Sequence, residues 1–369
     1  MMDQERARAY HRLQLRLSAV RLGLGAAYLA ALIATGWAAR LADALAALTP
    51  RWWIQLAAAL LVLGGGYRLA TLPLAWLAGF WLPRRFGLLH QPLRQWALDA
   101  VKAAAPGAAL GLAAAEIVYA FLRASPWWWL WSALAFLAMS TLLTLVAPVW
   151  LVPLFYRLEP LPDPALRDRL LRLGARAGVP VIGVWVADQS RKSRTANAAV
   201  TGLGRTRRII VFDTLLARFT PDEIEAVLAH ELGHHAHADI WRGLLVQSAL
   251  TLATFLVADP ALRAGAAALS LRGPADLAGL PLLALIVLAL SLLALPLGNG
   301  WSRRVERQAD DFALRTTGNA PAFISAMERL GALNLAEREP HPVKEFFLHS
   351  HPSIGRRVAR ARRLPGSPG

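Results

Sequence analysis

The feature that most limits the fold is a set of apolar runs near membrane-spanning length. A helix needs about 20 consecutive apolar residues to cross a bilayer core. The chain offers six runs, at roughly 22–39, 52–82, 103–122, 127–152, 243–257 and 277–297. Inside lipid each backbone polar group must find its partner within the protein, so these runs predict helices. The second run exceeds one straight crossing and holds Gly64, Gly65, Gly66 and Pro73, which predicts tilt or a break there. Trp127, Trp128, Trp129 and Trp131 open the fourth run and predict an aromatic belt at a membrane boundary. Glu116 lies within the third run. A carboxylate at that depth reads either as a functional group or as one turned to a bundle interior or chamber.

The formal net charge is +16. The arginines collect in 1–21, 83–102, 156–242 and 301–363, whereas 40–51, 123–126 and 258–276 carry few. Positive residues stay on the cytoplasmic side of a membrane, so both termini and the long polar stretch are expected there. The excess charge then faces anionic lipid. No aromatic-and-basic nucleic-acid module accompanies it, so the bilayer is the expected partner and nucleic acid is not. The spacing of Arg6, Arg8, Arg12, Arg16 and Arg21 suggests an amphipathic helix at the membrane surface, but the expectation is an ordinary cytoplasmic leader into the first span. The apolar run that follows is too long for a signal peptide. The absence of an internal repeat weakens a transporter reading. There is no cysteine, so any metal must be held by His, Asp or Glu.

A metal is expected because His230, Glu231 and His234 spell H-E-x-x-H. On a helix, positions i and i+4 share a face, so both imidazoles can reach one ion with Glu231 beside it. The helix has its own start signals. Thr220 suits the N-cap, Pro221 the first helical position, and Glu223 completes a capping box. Ile224, Val227, Leu228 and Leu232 follow at helical spacing. His235 and His237 point elsewhere and are not expected to be ligands. Before this helix, 165–177 reads as a helix and 181–187 as a strand. The stretches 198–203 and 208–212 read as strands joined by a turn at 204–207. A small sheet beside a metal helix suits a protease, because an edge strand can pair with an extended substrate.

Two histidines do not close a catalytic zinc site, which usually has three protein ligands. Glu306 and Asp310 lie at i, i+4 beyond the sixth span. Glu306 can complete a His₂Glu set, and Asp310 can accept the second N–H of a ligating histidine. Taken alone, that segment also fits a solvated charge face, given Arg303, Arg304 and Arg307.

H-E-L-G-H followed by two spans and E-x-x-A-D resembles the CAAX prenyl protease (type I) family of integral-membrane zinc metalloproteases. Arg85-Phe-Gly87, Gln91-x-Leu93-Arg94, Pro153-Leu-Phe155, Asn197 through Gly204, Thr206 through Leu215, and His351-Pro352 with Arg357 extend the likeness over roughly 67–363. The resemblance implies a mainly α, polytopic membrane protein. About six transmembrane helices would surround a chamber, with a small α+β zinc-protease domain at the cytoplasmic face. It implies one zinc ion per chain on His230, His234 and Glu306, with Asp310 supporting them. Glu231 would be the general base on the attacking water. His351, with Arg357, would stabilise the oxyanion, and Asn197 and Arg357 would contact substrate. The expected division is a basic arm (1–21), spans 1–4 (22–155), a protease part (156–242), spans 5–6 (243–298) and a C-terminal part (299–369). The Ala/Leu/Arg-rich composition suggests a bacterial inner membrane. The expected activity is hydrolysis of peptide bonds in membrane-associated or prenylated-type polypeptides. Alternatives are a heat-shock-type quality-control protease, which is shorter and has four spans, or a scaffold or transporter with a vestigial metal site. An intact base at Glu231 argues against the last of these.

Overall fold

The computed structural model describes residues 2–150, 152–202 and 204–363. Leu203, at the end of an expected strand, and the Gly/Ser/Pro tail from 364 lie outside the described residues. Helices dominate: α1 (Met2–Ala34), α2 (Trp37–Leu48), α3 (Trp52–Trp76), α4 (Leu93–Ala124), α5 (Trp128–Trp150), α6 (Pro164–Arg176), α7 (Pro221–Ala236), α8 (Asp239–Ala268), α9 (Leu280–Thr317), α10 (Ala320–Leu333), α11 (Pro342–Leu348) and α12 (Ile354–Ala361). Among the described residues, six helical segments are long and apolar enough to cross a membrane: Gln4–Ala34, Trp52–Arg85, Leu93–Ala124, Trp128–Val146, Asp239–Ala268 and Leu277–Thr317.

These segments overrun the apolar runs in a consistent way. The sixth run ends near Leu297, yet α9, 38 residues in all, continues to Thr317, a helix about 57 Å long at 1.5 Å per residue. Its apolar half lies at membrane depth, and its polar half carries Glu306 and Asp310 into the protease part. Likewise α8 starts at Asp239, just after the H-E-x-x-H helix, and runs through Pro260 to Ala268. It therefore takes up much of the stretch expected as an outside loop. The second run does not break at its glycines. α3 passes through Gly64–Gly66 and Pro73, and only the widened turn Leu77–Trp81 follows. Proline removes one helical donor, and a π turn is a common local adjustment.

The basic arm is the first part of α1, continuous with the first span. Ala7 and Tyr10 are buried with Leu82, Leu88 and Leu335, so the arm docks between the 82–88 segment and the turn after α10. Trp128 is no belt residue. It is 1% exposed, its indole donates to Asp259 at 2.6 Å, and its ring meets Phe255 edge-on. Trp127 and Trp131 are exposed as a belt requires. The membrane core is built on Leu56, Val118, Tyr119, Trp128, Phe255 and Leu262. A cavity of about 620 Å³ lies against it, lined in part by Gln247, Thr251, Thr254, Ser291 and Asn299. Glu116 is half-buried on α4 and does not line that cavity.

The protease part has its own core, centred on Leu170, Leu173, Ile209, Leu215, Leu228, Leu232 and Phe323. Its sheet has four strands, β1 (Leu158–Pro160), β2 (Val184–Ala187), β3 (Ala198–Thr201) and β4 (Arg208–Phe212), in the order β1-β2-β4-β3. β3 and β4 form the expected antiparallel pair. β2 pairs with β4 in parallel, and β1 adds an antiparallel edge at the proline-rich entry. β3 is the free edge beside α7.

Candidate metal centre

α7 is fixed at its start by the capping box. The Glu223 N–H donates to Thr220 Oγ1 at 3.3 Å, and the Thr220 N–H donates to Glu223 Oε2 at 2.7 Å. Ser325 and Arg329 of α10 donate to the same carboxylate at 2.6 and 2.8 Å. One turn on, Glu225 accepts from Arg169 at 2.7 Å and pairs with Arg176, both on α6. The helix is thus tied on two sides before its histidines are reached. Gly233 lets it approach α9 closely: a Cβ there would lie 3.2 Å from the Ala309 Cα.

That crossing brings three donors together. His230 Nε2 is 3.3 Å from Glu306 Oε2, and His234 Nε2 is 3.6 Å from Glu306 Oε1. One donor atom from each of His230, His234 and Glu306 fits within 4.8 Å of the others. Neighbouring donors on a tetrahedral zinc with ~2.1 Å bonds sit ~3.4 Å apart, so the spacing suits such an ion. Glu306 Oε2 is buried with no hydrogen-bond partner. Buried polar atoms are rarely left so, and a bound ion is one of the standard reasons. The donor set therefore fits zinc.

The outward nitrogens of both histidines are also held. His230 Nδ1 is 2.9 Å from Asp310 Oδ1, the support expected from the sequence. His234 Nδ1 is 3.0 Å from Asp239 Oδ2, a contact the sequence reading missed. Asp239 in turn accepts from Arg242 at 2.8 Å. Its place directly after the His-rich helix end was the available signal. Burial alone would push the His230 imidazole down, but the adjacent Asp310 and Glu306 carboxylates outweigh that and raise it to about 9. Burial pushes the Glu231 carboxyl up, against the opposing charges of His230, His234 and Arg357.

Glu231 lines a cleft of about 460 Å³ together with His230, Asn197, His351 and Arg357. The candidate base and the candidate oxyanion and substrate residues thus meet at one cleft. His351 Nε2 is 3.2 Å from Glu306 Oε1, and its side chain is 61% exposed. Arg357 touches the cleft, but its guanidinium donates to Asp310 at 2.9 and 2.6 Å and lies 3.3 Å from His230 Nδ1. It braces the carboxylate behind the metal ligands more directly than it reaches into the cleft. His235 and His237 stay off the site. His235 Nε2 donates to the Val200 carbonyl at 2.9 Å, and His237 packs against Phe312.

Comparison with known proteins agrees with this arrangement. Residues 160–364 match peptidase family M48. Residues 2–157 match the CAAX prenyl protease N-terminal family, described as five membrane helices. The Bacillus subtilis protein named uncharacterized metalloprotease YhfN is 29% identical over 91% of this chain and 80% of its own length. Saccharomyces cerevisiae CAAX prenyl protease 1 is 36% identical over 45% of this chain and 37% of its own. The crystal structure of S. mikatae Ste24p superposes with a TM-score of 0.83 at 24% identity, covering 98% of this chain and 89% of that one. The family match spans more than half of the chain and includes the H-E-x-x-H helix, so this protein belongs to peptidase family M48, as a membrane metalloprotease.

Proposed function

We propose that the protein is a zinc endopeptidase that cleaves membrane-associated or prenylated-type polypeptides at the cytoplasmic face of a bacterial inner membrane. One observation carries the reading: two histidines and a glutamate, with a buried oxygen that no hydrogen bond satisfies, converge beside Glu231, at a cleft that Asn197, just before β3, also lines. In this reading His230, His234 and Glu306 hold one zinc ion, and Asp310 and Asp239 orient the two imidazoles. Zinc held there would polarise the scissile carbonyl and acidify the attacking water.

The chain supplies the remaining steps. An extended substrate lies along β3, with Asn197 at the cleft. Glu231 takes a proton from the attacking water and returns it to the leaving amine. His351, exposed above Glu306, donates to the developing oxyanion, a contribution typically of about 10²–10³ in kcat. Arg357 braces Asp310 behind His230. The positive-inside distribution supports the cytoplasmic placement, and the bacterial metalloprotease relative supports the host. The expected division at 21, 155, 242 and 298 is kept as a functional one: arm, spans, protease part, spans and C-terminal part. The N-terminal match over residues 2–157 favours the CAAX type over the shorter heat-shock type.

The test is cleavage, in detergent with zinc, of a farnesylated CAAX peptide and of an unprenylated membrane-protein fragment. Cleavage of the prenyl peptide alone would establish lipid specificity. Cleavage of both would establish general processing of membrane-associated chains. Cleavage of neither by zinc-loaded protein would overturn the reading.

A further inference from the structure

The β3 edge is not open along its whole length. In the β3–β4 ladder the Phe212 N–H donates to the Asn197 carbonyl at 3.1 Å, and Ala198 stands opposite Val211. Antiparallel pairs alternate. Residues 197, 199 and 201 therefore direct their backbone groups to β4, while Ala196, Ala198 and Val200 direct theirs to the outer edge. The Ala196 N–H donates to Asn334 Oδ1 at 3.1 Å, and Asn334 Nδ2 donates back to the Ala196 carbonyl at 3.2 Å. The Ala198 N–H donates to its neighbour Asn197 Oδ1 at 2.9 Å. The Val200 carbonyl accepts from His235. The Ala198 carbonyl and the Val200 N–H have no side-chain partner among the described residues.

Asn334 thus meets Ala196 with one donor and one acceptor, as a residue of a neighbouring strand would. The turn that presents it is strained. Leu335, the next residue, has φ 51°, a region that branched side chains rarely adopt. Yet Leu335 is 2% exposed, packed among Ala7, Tyr10, Leu82 and Leu88, and its carbonyl accepts from His11 Nε2 at 2.9 Å. Strain of this kind persists where the surroundings over-determine it, and it concentrates at functional sites. Asn334, Asn197, His11 and Glu231 all line the one cleft.

We propose that Asn334 is a positioning residue that closes the β3 edge at Ala196. It confines an extended substrate to the Ala198–Val200 window and so sets which peptide bond lies at Glu231. The proposal rests on the reading that substrate pairs with β3. Strand pairing repeats every two residues. Freeing the backbone of Ala196 would therefore let a peptide also bind two residues out of its normal register.

The test uses the full-length, zinc-loaded protein in detergent and unfolded casein, with products read by mass spectrometry. Asn334→Ala is expected to add cuts displaced by two residues from the wild-type sites. Zinc content and the rate of cutting at the wild-type sites should stay near wild type. Asn334→Asp, which keeps only the acceptor, should fall between the two. Ser325→Ala loosens the same helix without touching Ala196, and should lower Tm while leaving the cut sites alone. Unchanged cut sites in Asn334→Ala would overturn the proposal. The β3 reading is checked separately, with a synthetic peptide spanning the main casein cut. If backbone N-methylation leaves the wild-type KM unchanged, pairing with β3 fails, and the role of Asn334 fails with it.

Discussion

Gly233→Ala separates fold stability from metal holding. Gly233 lies between the two motif histidines on the face of α7 that meets α9. An added Cβ would stand 3.2 Å from the Ala309 Cα and 3.2 and 3.3 Å from Phe312 Cδ1 and Cβ. Comfortable carbon contacts lie at about 3.5–4.0 Å, so the helices must part by roughly 0.3–0.6 Å. Metal–ligand distances tolerate only about 0.2 Å. Glu306 sits one turn from Ala309, so it moves relative to His230 and His234 by more than that. Alanine in a helix interior gains about 0.5–1 kcal/mol over glycine, and overpacking costs about 1–3 kcal/mol. Net destabilisation should therefore stay below about 2.5 kcal/mol. Zinc affinity should fall about 10–100-fold, the range seen when the support of a metal ligand is lost. Chelator competition measures the affinity, and Tm of the chelator-stripped protein measures stability. Unchanged zinc affinity would refute the idea that the close α7–α9 crossing sets the ligand geometry.

Three further outcomes are expected. Asp239→Asn should weaken zinc binding about 10–100-fold by releasing His234, read in the same chelator competition. In stripped protein the raised His230 pKa stabilises the fold below the unfolded value near 6.5, and that contribution is lost as pH rises through about 9. Zinc must displace that proton, so between pH 7 and 8 zinc affinity should rise about tenfold while stripped-protein Tm declines. The Glu223 carboxyl is held below its usual range: burial opposes this, but Ser325, the Thr220 backbone and Arg329 outweigh it. Glu223→Gln should cost about 1.5–3 kcal/mol at neutral pH, read as a Tm loss that shrinks as pH falls through the wild-type carboxyl's folded pKa.

Much of this architecture was legible because it rests on local patterns. The spans follow from apolar runs. The start of α7 follows from Thr220, Pro221 and Glu223, and its histidines meet by helical spacing alone. Glu306 and Asp310 were readable as a pair, since i, i+4 spacing survives any fold. What stayed hidden depends on partners remote in sequence. Nothing local says that α9 runs unbroken from the bilayer to Glu306, because the apolar run itself ends near Leu297. β1 contains Pro160 and is only three residues long, so its pairing with β2 creates the strand. Nor does anything local say that Ala7 and Tyr10 pack inward, because Leu335, remote in sequence, supplies their surface. Asp239 and Asn334 carry no motif, and their roles exist only through His234 and Ala196.

The central claim is that Glu231 acts as the base beside a metal held by His230, His234 and Glu306. The most direct measurement is the cleavage rate of wild type and Glu231→Gln on one substrate, with zinc content measured on the same samples. The account expects equal zinc, one per chain, and a rate lower by about 10²–10⁴ in the variant. Cleavage by Glu231→Gln near the wild-type rate would contradict it.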